Sequence, residues 1–286
     1  MLKKLTLGAV LTFVMVLSSS TAMAGKYDLD LSRLFKNSPY TPNSSPHDQF
    51  RWLMGDLGAA LSPRFLGPAG SLGSLGFNVA LDYSMTNIAE NANHWASVMT
   101  DKPGTPGEGA DSYLQTIHLR VRKGLPFSAE VGGTFSKLLF SEMWGVGLEA
   151  KYSMLEGFRE LPELSFRAYV STYLGSRDFS LLSTGADFVL SKRIGIAGLF
   201  RITPYAGYNV MYVHGGSNVV VTDVTKVPGT TTGEMQETQQ VFRTAHAFRH
   251  FAMLGIQSVS AFVNLGFEAS INDSMQIYAL RIGVDF

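Results

Sequence analysis

From Leu75 to the last residue, apolar side chains recur at every second position, and before Leu75 they do not. The first clear run is Leu75-Gly-Phe77-Asn-Val79-Ala-Leu81-Asp-Tyr83-Ser-Met85, apolar at each odd position and small or polar between. A period of two belongs to a strand whose two faces meet different environments. The same pattern predicts strands near 113–123, 127–138, 143–154, 164–174, 179–191, 200–213, 241–257, 260–271 and 275–286, ten in all. Most run to about 10–14 residues, where a tilted strand needs about 9–11 to cross a bilayer. Strands of soluble proteins are about half that length. The predicted fold is all-β, a transmembrane antiparallel up-and-down β-barrel of about ten strands, with eight or twelve as the alternatives.

The connections alternate in length. Tight links at Gly124-Leu125-Pro126 and Gln257-Ser258-Val259 fall on the side of the chain termini, and the longest stretches, 87–112 and 214–240, fall on the other. Upstream of the barrel the period changes. Phe50, Leu53, Met54, Leu57 and Leu61 follow a helical spacing that Pro63 ends. An apolar stripe says that a helix packs on something, so the expectation is a short helix against the periplasmic rim, with a plug inside the barrel as the alternative. Residues 25–48 are polar and punctuated by Pro39, Pro42 and Pro46.

The first residues carry an address. Lys3 and Lys4 precede an apolar run from Leu5 to Leu17, and the small residues Ala22-Met23-Ala24 follow. This is the pattern of a cleavable secretory signal, with cleavage after Ala24, and the run is too short to span hydrocarbon as a helix. The division expected is 1–24 signal peptide, 25–73 periplasmic N-terminal segment with a short helix, and 74–286 outer-membrane β-barrel in a Gram-negative cell envelope.

Charge then tests the strand reading, because a cation facing lipid at mid-membrane costs about 2–4 kcal/mol. The face opposite the apolar one carries Asp82, Glu130, Glu149, Asp187, Glu268 and Asp285, and with them Arg120, Lys151, Arg167, Arg201, Arg249 and Arg281. These twelve form the predicted lumen charge network. Ile117, Leu119, Val121, Phe135, Val146, Leu148, Val170, Tyr208 and Leu265 take the lipid-facing parity, and aromatic residues near strand ends (Tyr113, Trp144, Tyr212, Tyr278; Phe77, Phe127, Tyr152, Phe200) sit where interfacial girdles would. His250 takes outward parity against expectation, through an interfacial position or a bulge.

Equal numbers of acids and bases inside favour pairing across a narrow lumen over a selective pore, which would show a ring of one sign. The whole chain, with 23 basic and 23 acidic residues, offers no field for nucleic acid. It has no cysteine, which removes disulfides, thiol catalysis and cysteine-ligated metal.

The last strand places Tyr278, Leu280, Ile282, Val284 and Phe286 on one face and ends on the aromatic. It resembles the assembly signal of bacterial outer-membrane proteins. That resemblance implies the barrel-assembly machinery as a partner in biogenesis and outer-membrane lipid as the solvent. The stretches Leu119–Ser128, Ser171–Asp178 and Thr203–Asn209 also resemble a group of uncharacterised outer-membrane barrels. That likeness implies fold and location and no activity.

No catalytic residue is assigned. His214 and Asp223 lack the paired acids of an omptin-type protease. His250 is far along its strand from Ser258 and Ser260, so a serine hydrolase is not assembled. Among His94, His118, His214, His246 and His250, only His246 and His250 have a recognisable spacing, and on a strand four residues span about 13 Å, too far for one ion. No metal or cofactor is therefore predicted. Gly67-Pro-Ala-Gly-Ser-Leu-Gly73 lacks the lysine and helix of a phosphate loop, and Gly104–Gly109 reads as a loop tip. The function expected is a non-enzymatic barrel, structural or passing small solutes, with loops free for binding and Ser217–Asp223 extending a strand above the membrane. The alternatives are a rim-sited lipid or peptide hydrolase and a passive transporter of apolar compounds.

Overall fold

A strand in lipid must have both edges paired, so a membrane sheet is stable only when it closes. The computed structural model describes residues 46–99, 110–157, 161–196, 200–218, 220–226, 234–240 and 244–286, together with Tyr27, Leu29, Leu31, Leu34 and Phe242. In chain order the elements are helix α1 (Pro46–Leu61), β1 (Phe77–Asn87), helix α2 (Asn93–Met99), β2 (Tyr113–Gly124), β3 (Ala129–Leu138), β4 (Trp144–Glu156) and β5 (Glu163–Leu174). There follow β6 (Phe179–Ser191), β7 (Ile194–Ile196), β8 (Phe200–Ser217), β9 (Val220–Lys226), β10 (Glu234–Gln240), β11 (Ala245–Ser260), β12 (Val263–Ile271) and β13 (Gln276–Asp285).

Strands β1–β6, β8 and β11–β13 pair antiparallel in sequence, and β13 returns to β1, for instance at Asp82↔Arg281. This is a closed ten-strand barrel. The short β7 leans on β8 at the rim of the termini, and β9 with β10 makes a separate two-stranded sheet between β8 and β11. The expected extension beyond Ser217 is thus present as β9, outside the barrel seam.

The predicted parity holds around the wall. Phe135, Leu148, Val170, Tyr208, Leu265 and Leu280 are exposed on the outer face, and Asp82, Arg120, Arg167 and Glu268 are buried inside. Aromatic side chains stand at both ends of the outer band; Phe135 stacks on Trp144 at 5.8 Å and Phe77 meets Phe286 at 6.4 Å.

Three boundaries differ from expectation, and so does one register. The first strand begins at Phe77, because Gly76 still belongs to a turn closed on Gly73. Gln257–Val259 is not a link but part of β11, whose hairpin turns at Ala261 with a left-handed φ of 53°. That strand starts at Ala245 rather than 241. His250 needs no bulge: β8 and β11 stay in register throughout, and His250 stacks on Tyr208 at 5.9 Å on the outer face. The register shift that does occur is in β4, between Ser153 and Leu155. The leader, its cleavage point and the tip at 104–109 lie outside the described residues.

The largest departure concerns α1. It does not rest on the periplasmic rim; it stands inside the barrel, packed against β1, β2, β3, β6, β8 and β11. Phe50, Leu53, Met54, Leu57 and Leu61 are buried against wall residues Leu114, Leu138, Leu181, Met211, Val213, Phe251 and Ile277. The helix comes close enough to the wall that a Cβ on Gly58 would lie 2.6 Å from both γ-carbons of Val213. Gly58→Leu is accordingly expected to cost about 1–3 kcal/mol, read as a lower urea midpoint of the folded barrel. An unchanged midpoint would mean that the helix is not seated where it is drawn.

The described residues upstream of α1 lie at the rim away from the termini. The Tyr27 amide donates to the Phe140 carbonyl at 2.9 Å, its hydroxyl to Asp111 at 3.0 Å, and the Leu31 amide to Asp178 at 2.9 Å. Burial pushes the Tyr27 hydroxyl up to about 12, so it keeps its proton for that bond. Of the segment before β1, residues 46–72 therefore lie within the barrel, and the described residues Tyr27 and Leu31 bond to its long-loop rim. The chain enters the barrel at the long-loop rim, descends as α1, and leaves at the opposite rim to begin β1.

Candidate functional site: the occupied lumen

The lumen has two storeys, and the secondary structure of the threaded segment explains both. A helix satisfies its own backbone, so around α1 the wall is mostly apolar. Below Leu61, Pro63 prevents another helical turn and the chain continues irregularly to Leu72. Its bare amides and carbonyls must find partners in the wall, and there the inward residues are charged.

Seven carbonyls of this segment are taken by wall side chains. Arg167 donates to Pro63 at 3.1 Å and Arg64 at 2.9 Å. Arg120 and Arg122 share the Phe65 carbonyl at 3.1 and 2.9 Å, and Arg281 holds that of Leu66. Lys151 reaches Pro68 at 3.1 Å and Gly70 at 2.7 Å, and the Ser153 hydroxyl donates to Ala69 at 2.6 Å. The amides point at acids and hydroxyls: Leu66 to Glu268 at 2.7 Å, Ala69 to Ser191 at 2.9 Å, Gly70 to Glu163 at 3.0 Å and Leu72 to Glu130 at 2.8 Å. Hydrogen bonds to charged groups contribute about 1.5–3 kcal/mol each, so this is a strong clamp on a segment that Pro63 and Pro68 already deprive of two donors.

The bend at Leu66 depends on the same clamp. Its φ of 43° is left-handed, uncommon for leucine, and it is held from both sides, Glu268 on the amide and Arg281 on the carbonyl. Phe65 is fully buried in a nest of cations, with Arg167, Lys151 and Arg122 at 5.2, 5.8 and 6.0 Å from its ring centroid.

The wall charges also pair among themselves. Asp82 receives Arg281 through two nitrogens at 2.7 and 2.8 Å and Arg120 at 3.1 Å. Glu149 bridges Arg122 at 2.5 Å and Arg167 at 2.8 Å, Asp187 takes Arg167 at 2.6 Å, and Glu130 takes Lys151 at 3.2 Å. In the upper storey Arg249 meets Asp56 of α1 at 3.0 Å. Asp56 also accepts from His94 at 2.9 Å and Trp95 at 3.1 Å, which ties α2 in the first long loop to the helix beneath it.

Ten of the twelve predicted lumen residues thus belong to this clamp. Two do not. Arg201 is exposed at the rim of the termini, and Asp285 is held by Asn78 and Asn264 at 2.6 and 2.9 Å without an ion pair. Both line a cavity of about 220 Å³ beside Gly67–Leu72. The expectation that acids and bases alone fill the lumen is also corrected, since the chain's own backbone occupies it.

Sequence reasoning missed Arg122, Asp56, Glu163 and Arg193. Arg122 shares the parity of Arg120 and was legible by that rule. Glu163, paired with Arg193, begins a strand, and Asp56 lies on the helix, where strand parity has nothing to say. Tyr278, Leu280, Ile282 and Val284 face outward on β13, paired on both edges.

No family model and no curated protein matches the sequence. Among solved structures, the chain is similar to an outer-membrane channel from Pseudomonas putida F1, at 10% identity over 78% of this chain and 100% of that one, with a TM-score of 0.41. It is likewise similar to the attachment invasion locus protein Ail of Yersinia pestis, at 12% identity over 74% and 99%, TM-score 0.26. A third is the KdgM porin in complex with oligogalacturonate, at 7% over 73% and 99%, TM-score 0.34. None at this distance lends its activity. By its closed seam, apolar outer belt and charged interior, the chain is a closed ten-strand antiparallel β-barrel.

Proposed function

We propose that this is a non-enzymatic, self-plugged outer-membrane barrel whose working surface is the long-loop face, on the cell exterior. The observation that carries the reading is the threading of residues 46–72 through the lumen, clamped by the wall and entered from the long-loop side. A barrel that passed solutes freely would not spend its inward cations on its own backbone. The described parts of the two longest connections, residues 88–99, 110–112, 220–226 and 234–240, and the described residues upstream of α1 then gather on one face, where binding to another surface takes place. The outward aromatic and aliphatic band is solvated by outer-membrane lipid, and β13 delivers the chain to the barrel-assembly machinery by strand addition.

A passive route for apolar compounds would need a gap in the wall. Each neighbouring pair of barrel strands is paired along its described length, with a single register shift at Ser153/Leu155 in β4, which supports no such gap. A rim hydrolase has no support either: His250 is stacked on Tyr208, and Ser258 is eight residues further along β11, about 26 Å away.

The chain has no cysteine, so single introduced thiols report sidedness cleanly. In intact cells an impermeant maleimide is expected to label Lys26→Cys and to leave Gly195→Cys unlabelled until the envelope is permeabilised. The reverse pattern would place the N-terminal segment in the periplasm and end this reading.

A further inference from the structure

The outer face of β8 and β11 carries chemistry that the plugged lumen does not use. His214 and His246 lie directly opposite each other in the β8–β11 register, although 32 residues separate them in sequence. Their ring centroids are 5.1 Å apart, with planes at 58°. A zinc–imidazole bond of about 2.0–2.1 Å puts a ring centroid about 3.2 Å from the ion. Two rings at the observed separation therefore subtend about 105° at a shared ion, close to the tetrahedral value.

A second observation concerns the tautomer. The Tyr212 hydroxyl lies 2.5 Å from Nδ1 of His246, and the two rings stack at 5.9 Å. When Nδ1–H donates to the tyrosine oxygen, the Nε2 lone pair is left for a cation, and the ring is held in place. Hydrogen bonding at the far nitrogen is how metal-binding histidines are ordinarily oriented. His250 is excluded from the group: it sits four residues down β11, about 13 Å from His246, on Tyr208.

Access is open. His246 is exposed and His214 half-buried, and both lie at the long-loop ends of their strands, next to Tyr212 of the aromatic girdle. The two strands flank β9 and β10, so an ion here would join the feet of the longest connection in the chain.

We propose that His214 and His246 form a two-histidine site for a borderline divalent cation, zinc, nickel or copper(II), with water completing the coordination. Imidazole suits these ions and not calcium or magnesium. Among the described residues no group of three His, Cys, Asp or Glu forms a metal cluster, so the site keeps open positions and belongs to an exchangeable ion rather than to a folding element.

Calorimetric titration of the tag-free mature barrel in detergent with zinc is expected to show one ion per chain. Binding is lost in His214→Gln and in His246→Gln, is kept in His250→Gln, and weakens about tenfold in Tyr212→Phe. Copper(II) bound to the native chain gives an electron paramagnetic resonance spectrum with two imidazole nitrogens. Retention of heat-modifiable mobility on gels shows that each variant is folded; should His214→Gln fail there, the exposed His246→Gln carries the comparison. Zinc binding that survives His246→Gln, or no saturable binding by the native chain, overturns the proposal. Unchanged affinity in Tyr212→Phe removes the tyrosine from it.

Discussion

A chain lacking residues 46–72 is expected to conduct in planar bilayers where the intact chain holds the membrane closed. The lumen now contains an α-helix, and a helix with its side chains is about 10–12 Å across, so its removal leaves a water-filled channel of about that width. The lower wall would then expose Arg120, Arg122, Lys151, Arg167 and Arg281 beside Asp82, Glu130, Glu149, Glu163, Asp187 and Glu268. Five cations against six anions give no ring of one sign, so the openings should be weakly selective. Conductance should be steady, because the seam of the barrel does not depend on the plug. Single-channel recording at two salt concentrations checks this. An intact chain that conducts would sink the plugged reading, and a shortened chain that refolds but stays silent would mean that the wall side chains close the lumen unaided.

The second large effect is on stability. Arg167 is almost fully buried and holds four partners: Asp187, Glu149 and the carbonyls of Pro63 and Arg64. It also lies 5.2 Å from the Phe65 centroid and 4.9 Å from that of Tyr169. Arg167→Ala leaves two carboxylates short of a counter-charge in a buried site and two carbonyls without a donor. Breaking one side of a buried pair costs about 3–5 kcal/mol, and that loss is expected here. Arg201→Ala, at an exposed rim position, should change stability by no more than about 0.5 kcal/mol. Urea midpoints of the two variants, compared with the native barrel, decide it. Equal midpoints would show that the clamp is not formed. Glu149→Ala should fall between them, since Arg167 keeps Asp187 when Glu149 is lost.

Both expectations rest on one division of labour in the interior. Where the threaded chain is helical, the wall offers Leu, Met, Val and Phe; where it is irregular, the wall offers Arg, Lys, Glu and Ser. A buried charge network fixes geometry more surely than it adds stability. Here it fixes which backbone atoms sit where, down to a left-handed leucine.

Much of this was legible in the sequence. The strands, the outward aromatic girdles and the inward parity of Asp82, Arg120, Glu149, Arg167 and Arg281 all follow from a period of two, because a side chain on a pleated strand has only two directions to point. Even Arg122 could have been read by that rule. What the pattern left open was the partner of each inward charge, since parity names a face and not a neighbour. An apolar stripe on residues 46–61 states that the helix is buried; it cannot state whether the covering surface is a rim or a lumen, or from which end the chain arrives. His214 and His246 make the same point on the outside. Along one strand, histidines four apart are about 13 Å from each other and hold nothing together. The pair whose rings are 5.1 Å apart comes from two strands, brought level by the closing register of β8 against β11. Local periodicity is set by backbone stereochemistry and is written in the sequence. Register, closure and the course of the plug are set by which surfaces meet, and the tertiary structure alone decided them.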